Sequence, residues 1–219
     1  MKNKVLVVSQ YGDGFSSYYW PFRSFGEFTS DESIIDSNPG SIALVLFTGG
    51  EDVSPELYGH EPSRRTYSSP NRDKFEVAVF KKALAAGLPM AGVCRGAQFL
   101  CVMAGGTMIQ HVDNHGRTHN VRLLDGRVIE MSSTHHQMCS PPPDALVVGW
   151  SDQRLSGVYI GSGDEALSPP EKEVEVVYYP NIRAIGMQYH PEIMEPGSPG
   201  CQFAAELVNT YLMADRLAA

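Results

Sequence analysis

Nowhere in the sequence does an apolar run approach the ~18–20 residues that a membrane-spanning helix requires, which points away from a membrane protein. The four cysteines, Cys94, Cys101, Cys139 and Cys201, form no C-x-x-C pair and are too sparse for a disulfide framework in 219 residues. A reducing, cytoplasmic location is therefore expected. Basic residues are also in short supply: 17 Lys and Arg stand against 25 Asp and Glu, a formal net charge of −8. Phosphate backbones are bound by clustered Lys and Arg that release counterions, and no such cluster occurs, so nucleic acid is not an expected partner. Internal repeats and low-complexity tracts are missing as well. The opening residues 1–8 have a basic start but too short an apolar stretch for the core of a secretory signal, and read as a first buried strand.

What remains is ordinary globular composition, 42% apolar and 19% charged, in a length that suits one sizeable α/β domain spanning residues 1–219. Val5-Leu-Val-Val8 and Ile42-Ala-Leu-Val-Leu-Phe47 are continuous apolar runs ended by turn-forming residues, the pattern of strands buried on both faces of a parallel sheet. Residues 72–86 predict a helix with Phe75, Val77, Ala78, Val79, Phe80, Ala83 and Leu84 largely on one face, stopped by Gly87 and Pro89. A short strand at 90–93 and a helix over 97–104 follow. Asp125-Gly126 between two apolar stretches predicts a hairpin. Strands are expected at 174–179 and 184–188, and an amphipathic helix over 201–217. The segments 51–70 and 151–172 read as surface loops able to wall a site.

The chemistry concentrates in two motifs. Gly92-Val-Cys-Arg-Gly96 has the spacing of a nucleophile elbow, in which small flanking residues permit the strained turn that exposes the nucleophile. A thiol at the start of a helix meets the positive end of the helix dipole and free N–H groups, which favour the attacking thiolate and can also bind an oxyanion. Taken alone, a cysteine between glycines is more readily a small buried residue. The second motif, Gly186-Met-Gln-Tyr-His-Pro-Glu192, sets a histidine at a strand end with a carboxylate two residues on that can orient it. Both motifs fall at strand ends, where open α/β sheets place their sites.

These motifs resemble the two signatures of class I glutamine amidotransferase-like proteins. Thr48-Gly-Gly-Glu-Asp-Val-Ser-Pro-Glu-Leu-Tyr-Gly59, Asn71-Arg-Asp73 with Glu76, and Ser133-Thr-His-His-Gln137 are similar, more narrowly, to the γ-glutamyl hydrolase branch, peptidase C26, which includes γ-glutamyl-γ-aminobutyrate hydrolase. The resemblance implies a flavodoxin-like three-layer α/β sandwich with a mostly parallel central sheet. It implies Cys94 as nucleophile, His190 as general base and Glu192 as the residue orienting it, with the N–H groups of Gly50 and Arg95 as oxyanion hole. Gln98, Ser133 and His135 match positions near the glutamyl head group. Neither cofactor nor metal is implied. The expected partner is a small γ-glutamyl substrate, glutamine or a γ-glutamyl amine. Two alternatives stay open: a glutaminase passing ammonia to a separate synthetase partner, and a non-catalytic binding protein, the latter disfavoured because all three catalytic positions hold competent residues.

Where the family fits a helix, a strand and another helix between its first two central strands, residues 11–41 offer only a short stretch rich in aromatic and polar residues, so that edge of the sheet is expected to be reduced or missing. His111, His115 and His119 are spaced as a metal-binding stripe on a helix, but Gly116 interrupts it and no carboxylate or cysteine completes a ligand set, which favours a structural or loop role. Gly12-Asp-Gly14 resembles the start of a dinucleotide fingerprint, but Ser17 stands at the third glycine's place. The aromatic run from Tyr18 to Phe28 reads as core, or else as a lid.

Overall fold

A computed structural model describes residues 3–9 and 16–214; Gly12 and Gly14 lie outside the described residues. In chain order the strands are β1 (Lys4–Val8), β2 (Glu27–Thr29), β3 (Ile42–Phe47), β4 (Met90–Val93), β5 (Thr107–Ile109), β6 (His111–Val112), β7 (His119–Leu123), β8 (Val128–Met131), β9 (Met138–Ser140), β10 (Leu146–Ser151), β11 (Tyr159–Ile160), β12 (Val174–Tyr179) and β13 (Ala184–Met187). The helices are α1 (Tyr19–Phe22), α2 (Ile34–Ser37), α3 (Pro70–Ala85), α4 (Arg95–Met103) and α5 (Pro199–Val208). No helix among the described residues is long and apolar enough to cross a membrane.

Nine strands form one sheet in the order β2-β1-β3-β4-β13-β12-β10-β7-β8. Neighbours run parallel from β2 to β13 and antiparallel from β13 outward. The continuous apolar runs sit in the parallel part because both faces are covered there. Val5 and Val7 of β1 join a core with α1 and α5, while Leu6 and Val8 face the opposite core with α2, α3 and α4. The antiparallel β7, by contrast, buries only alternate residues. This is the expected flavodoxin-like α/β arrangement of three layers.

Two elements differ from the sequence expectation. Phe75 and Leu84 of α3 are exposed, and its buried face instead starts with Arg72, Asp73 and Glu76 before Val79, Phe80 and Ala83. Charged side chains occupy that face because they pair with one another, as the next subsection describes. The segment between β1 and β3 keeps helix, strand and helix in miniature: α1 and α2 have four residues each and the edge strand β2 has three. The edge is reduced, not missing.

Glycine is required where β4 turns into α4. A Cβ on Gly96 would collide with the Phe47 carbonyl, and one on Gly92 with the Gly96 carbonyl. Gly96→Ala is accordingly expected to destabilise the fold by about 2 kcal/mol or more, the cost of forcing backbone apart in a packed core. Gly116→Ala, where nothing lies within 4 Å, should stay within about 0.5 kcal/mol. Urea unfolding midpoints of the two variants check the contrast.

Candidate active site

Cys94 is the single residue between β4 and α4, with φ 50° and ψ −109°. That is a conformation non-glycine residues rarely adopt, and it persists only where the surroundings over-determine it. Here the Cys94 N–H donates to the Met187 carbonyl at 2.8 Å, and its own carbonyl accepts from the Gln98 N–H at 3.1 Å. The side chain thereby stands at the mouth of the elbow, at the start of α4.

His190 follows β13, the strand paired with β4 in the register Met187↔Val93. Its Nδ1 bonds Glu192 Oε1 at 2.7 Å and its Nε2 lies 2.8 Å from Thr134 Oγ1. Burial alone would lower its pKa, but hydrogen bonds to Cys94 and Glu192 carry it up to about 10. The Tyr18 hydroxyl accepts the Gly49 N–H at 3.0 Å. Burial pushes the Tyr18 hydroxyl well above its ordinary value, so it remains a donor.

The turn Thr48-Gly-Gly50 closes the site from β3. A Cβ on Gly49 would lie 3.3 Å from His190 Cε1 and 3.7 Å from Cys94 Cβ, so this loop touches both. Arg72 fixes its orientation: Nη2 donates to the carbonyls of Thr48 at 3.1 Å and Gly49 at 3.0 Å, while Nε donates to Glu76 at 2.7 Å. With the Gly49 carbonyl held on Arg72, the trans peptide turns the Gly50 N–H to the other side of the loop. The Arg95 side chain, beneath the elbow, pairs with Asp73 and Glu76. A cavity of about 160 Å³ opens here, lined among others by Gly50, Glu51, Asp52, Cys94, Gln98 and Thr134.

A family model described as Peptidase C26 matches residues 27–192. The chain belongs to the peptidase C26 family. Among curated relatives, the glutamine amidotransferase-like protein YvdE of Lactococcus lactis subsp. lactis is 32% identical over 157 residues, 68% of this chain and 65% of its own length. A candidate glutamine amidotransferase of Mycobacterium tuberculosis is 44% identical over 173 residues, 69% of this chain and 51% of that protein. The chain thus spans about half to two thirds of the length of these relatives. Of solved structures, PurLQS from Thermotoga maritima shares the fold at a TM-score of 0.61 and 18% identity, covering 97% of this chain and 100% of that one.

Of the residues singled out from sequence, the fold brings Cys94, His190, Glu192, Gly50, Arg95 and Gln98 together. His135 reaches the cavity wall but is buried. Ser133 is turned away, its hydroxyl donating to the His115 carbonyl. Thr134, Tyr18 and Arg72 contribute to the site without having been singled out. No pattern in the sequence marks Thr134: Ser132 and Ser133 before it and His135 after it are buried, while Thr134 is exposed.

A folded-state pKa of about 10 for His190, above its ordinary 6.5, means that its proton stabilises the fold fully below pH ~6.5 and that this contribution is lost as pH rises toward about 10. The difference in melting temperature between the wild type and His190→Gln should therefore shrink steadily from pH 6.5 to 10. A pH-independent difference would contradict the pairing of His190 with Cys94 and Glu192.

Proposed function

We propose that the protein is a cysteine hydrolase of γ-glutamyl amide bonds working through a glutamyl-thioester intermediate. The observation that carries this reading is the geometry around Cys94: a strained elbow at a helix start, facing a histidine whose far nitrogen is held by Glu192 at 2.7 Å. In the proposed mechanism the Cys94 thiolate attacks the side-chain amide carbon, and the carbonyl oxygen takes up the negative charge. The N–H groups of Gly50 and Arg95 receive that charge as paired backbone donors. His190 gives its proton to the departing amine, the C–N bond breaks, and the thioester remains. Water then loses a proton to His190 and attacks the thioester, releasing glutamate and restoring the thiolate.

Gln98 and His135 are proposed to border the glutamyl head group, with the acidic Glu51 and Asp52 complementing its ammonium. Ser133 would act through the loop it anchors. Both curated relatives are described in terms of glutamine amidotransferases, which favours a second reading: a glutaminase that delivers ammonia to a separate synthetase.

Cys94→Ala should reduce turnover by at least about 10³-fold without unfolding the protein. His190→Asn should lose several orders of magnitude, whereas Glu192→Gln, which removes only orientation, should lose about 10–10². Equal and small losses at 190 and 192 would argue against a triad.

Substrate class is tested by assaying the purified chain alone against glutamine and a panel of γ-glutamyl amines, with ammonia and glutamate read separately. The hydrolase reading expects higher kcat/KM for a γ-glutamyl amine with a substantial leaving group. Preference for glutamine, or turnover only after a synthetase is added, would replace it with the amidotransferase reading.

A further inference from the structure

Behind the cavity wall, three side chains that the chemistry above does not use, His115, His119 and Glu175, gather about the inner edge of the His135 ring. His115 Nδ1, His119 Nε2 and His135 Nε2 stand 3.2, 3.0 and 3.4 Å from one oxygen, Oε1 of Glu175. His115, His135 and Glu175 are fully buried, and His119 is partly so. In each ring the other nitrogen is already committed. His119 Nδ1 meets the Arg117 carbonyl at 3.0 Å and His135 Nδ1 the Gln137 carbonyl at 2.8 Å. A carbonyl only accepts, so both Nδ1 atoms carry the proton, and in the neutral rings both Nε2 atoms are bare lone pairs. His115 Nε2 faces Glu173 Oε2 at 3.4 Å, a carboxylate fixed by the N–H groups of Leu155 and Ser156 and by the Tyr159 hydroxyl.

Ring nitrogens that converge on a carboxylate oxygen need something positive between them. Protons are the competing occupants, since His115 stands between two carboxylates, Glu173 and Glu175, and His119 faces Glu175 as well. Protons on those two rings still leave the His135 Nε2 lone pair facing Glu175 Oε1 at 3.4 Å. Neither nitrogen of His115, nor His135 Nε2, nor Glu175 Oε2 makes an aligned hydrogen bond.

We propose that His115, His119, His135 and Glu175 bind a divalent transition-metal ion of the zinc class. Metal–ligand bonds of ~2.0–2.1 Å in a tetrahedron put adjacent donor atoms about 3.3 Å apart, which the three nitrogen–oxygen distances match. The donor atoms of His115, His119 and Glu175 all lie within 4.8 Å of one another, so the rings must draw together toward a spacing of about 3.3 Å as the ion is taken up. Anchoring of the second ring nitrogen by a carbonyl or carboxylate is the usual outer shell of a metal-bound histidine. Glu173 and Glu175 together balance the charge of the ion with all three rings neutral. A surface pocket of about 140 Å³, bordered by His119, Asn120, Asp152, Gln153 and Leu155, offers an entry path. The ion would be structural, tying β7 and β12 to the segment that carries Thr134. The spacing of His111, His115 and His119 hid this set, since His111 turns to His136 and the carboxylate comes from β12.

The test uses Cys94→Ala full-length protein, to remove the competing thiol, stripped with a chelator and titrated with Co²⁺ and Zn²⁺. The expected result is one ion per chain, with the strong visible absorption of tetrahedral cobalt and a rise in melting temperature. His119→Asn, at the least buried ligand, should weaken binding at least about 10²-fold, and His111→Asn should leave it unchanged. Absence of saturable binding, or binding that survives His119→Asn, would overturn the site. Metal content is read without turnover, so failure here leaves the hydrolase reading untouched.

Discussion

Two guanidinium groups and two carboxylates buried under the elbow hold the site together. Arg72 and Arg95 meet Asp73 and Glu76 with their side chains almost wholly out of solvent. Removing one member of such a set strands the others, at a typical cost of about 3–5 kcal/mol. The arrangement joins three elements that bear on Cys94: α3 through residues 72, 73 and 76, α4 through residue 95, and the turn after β3 through the carbonyls of Thr48 and Gly49. Burial and the neighbouring Arg72 charge pull the Arg95 guanidinium down to about 10, the electrostatic tension of setting two cations side by side.

The strain at Cys94 follows from the same construction. Its positive φ is held by hydrogen bonds on both sides, to β13 and into α4. Gly92 and Gly96 let strand, turn and helix approach more closely than any side chain would allow. Local strain of this kind, on the order of 1–3 kcal/mol, is sustained because the packed sheet and helix leave the backbone no alternative.

Much of this was legible in the sequence, for physical reasons that can be named. Strands buried on both faces announce themselves as unbroken apolar runs, and β1 and β3 were found that way. The elbow was visible because glycine at two positions around a cysteine has a steric meaning. The buried face of α3 was not visible, because burial of Arg72, Asp73 and Glu76 depends on partners brought by other elements, and an apolar count placed Phe75 and Leu84 inside instead. Tyr18 was obscured in the same way: nothing in an aromatic run distinguishes the ring whose hydroxyl accepts the Gly49 N–H from its neighbour Tyr19, half exposed at the surface. The histidine cluster shows the limit most clearly, since Glu175 lies 56 positions beyond His119 and only sheet pairing brings them together.

The side-by-side pairing of β4 and β13 has a consequence for how the protein can change over evolutionary time. The elements bearing Cys94 and His190 hang from adjacent strands, so their offset is set by the hydrogen-bond spacing of a sheet, about 4.8 Å. Neither the loop at 51–70 nor the reduced edge around β2 takes part in that measurement. Those peripheral segments can therefore lengthen, shrink or be exchanged between descendants while the thiol and imidazole keep their separation. Selectivity is modular in such a design, and reactivity is inherited with the sheet.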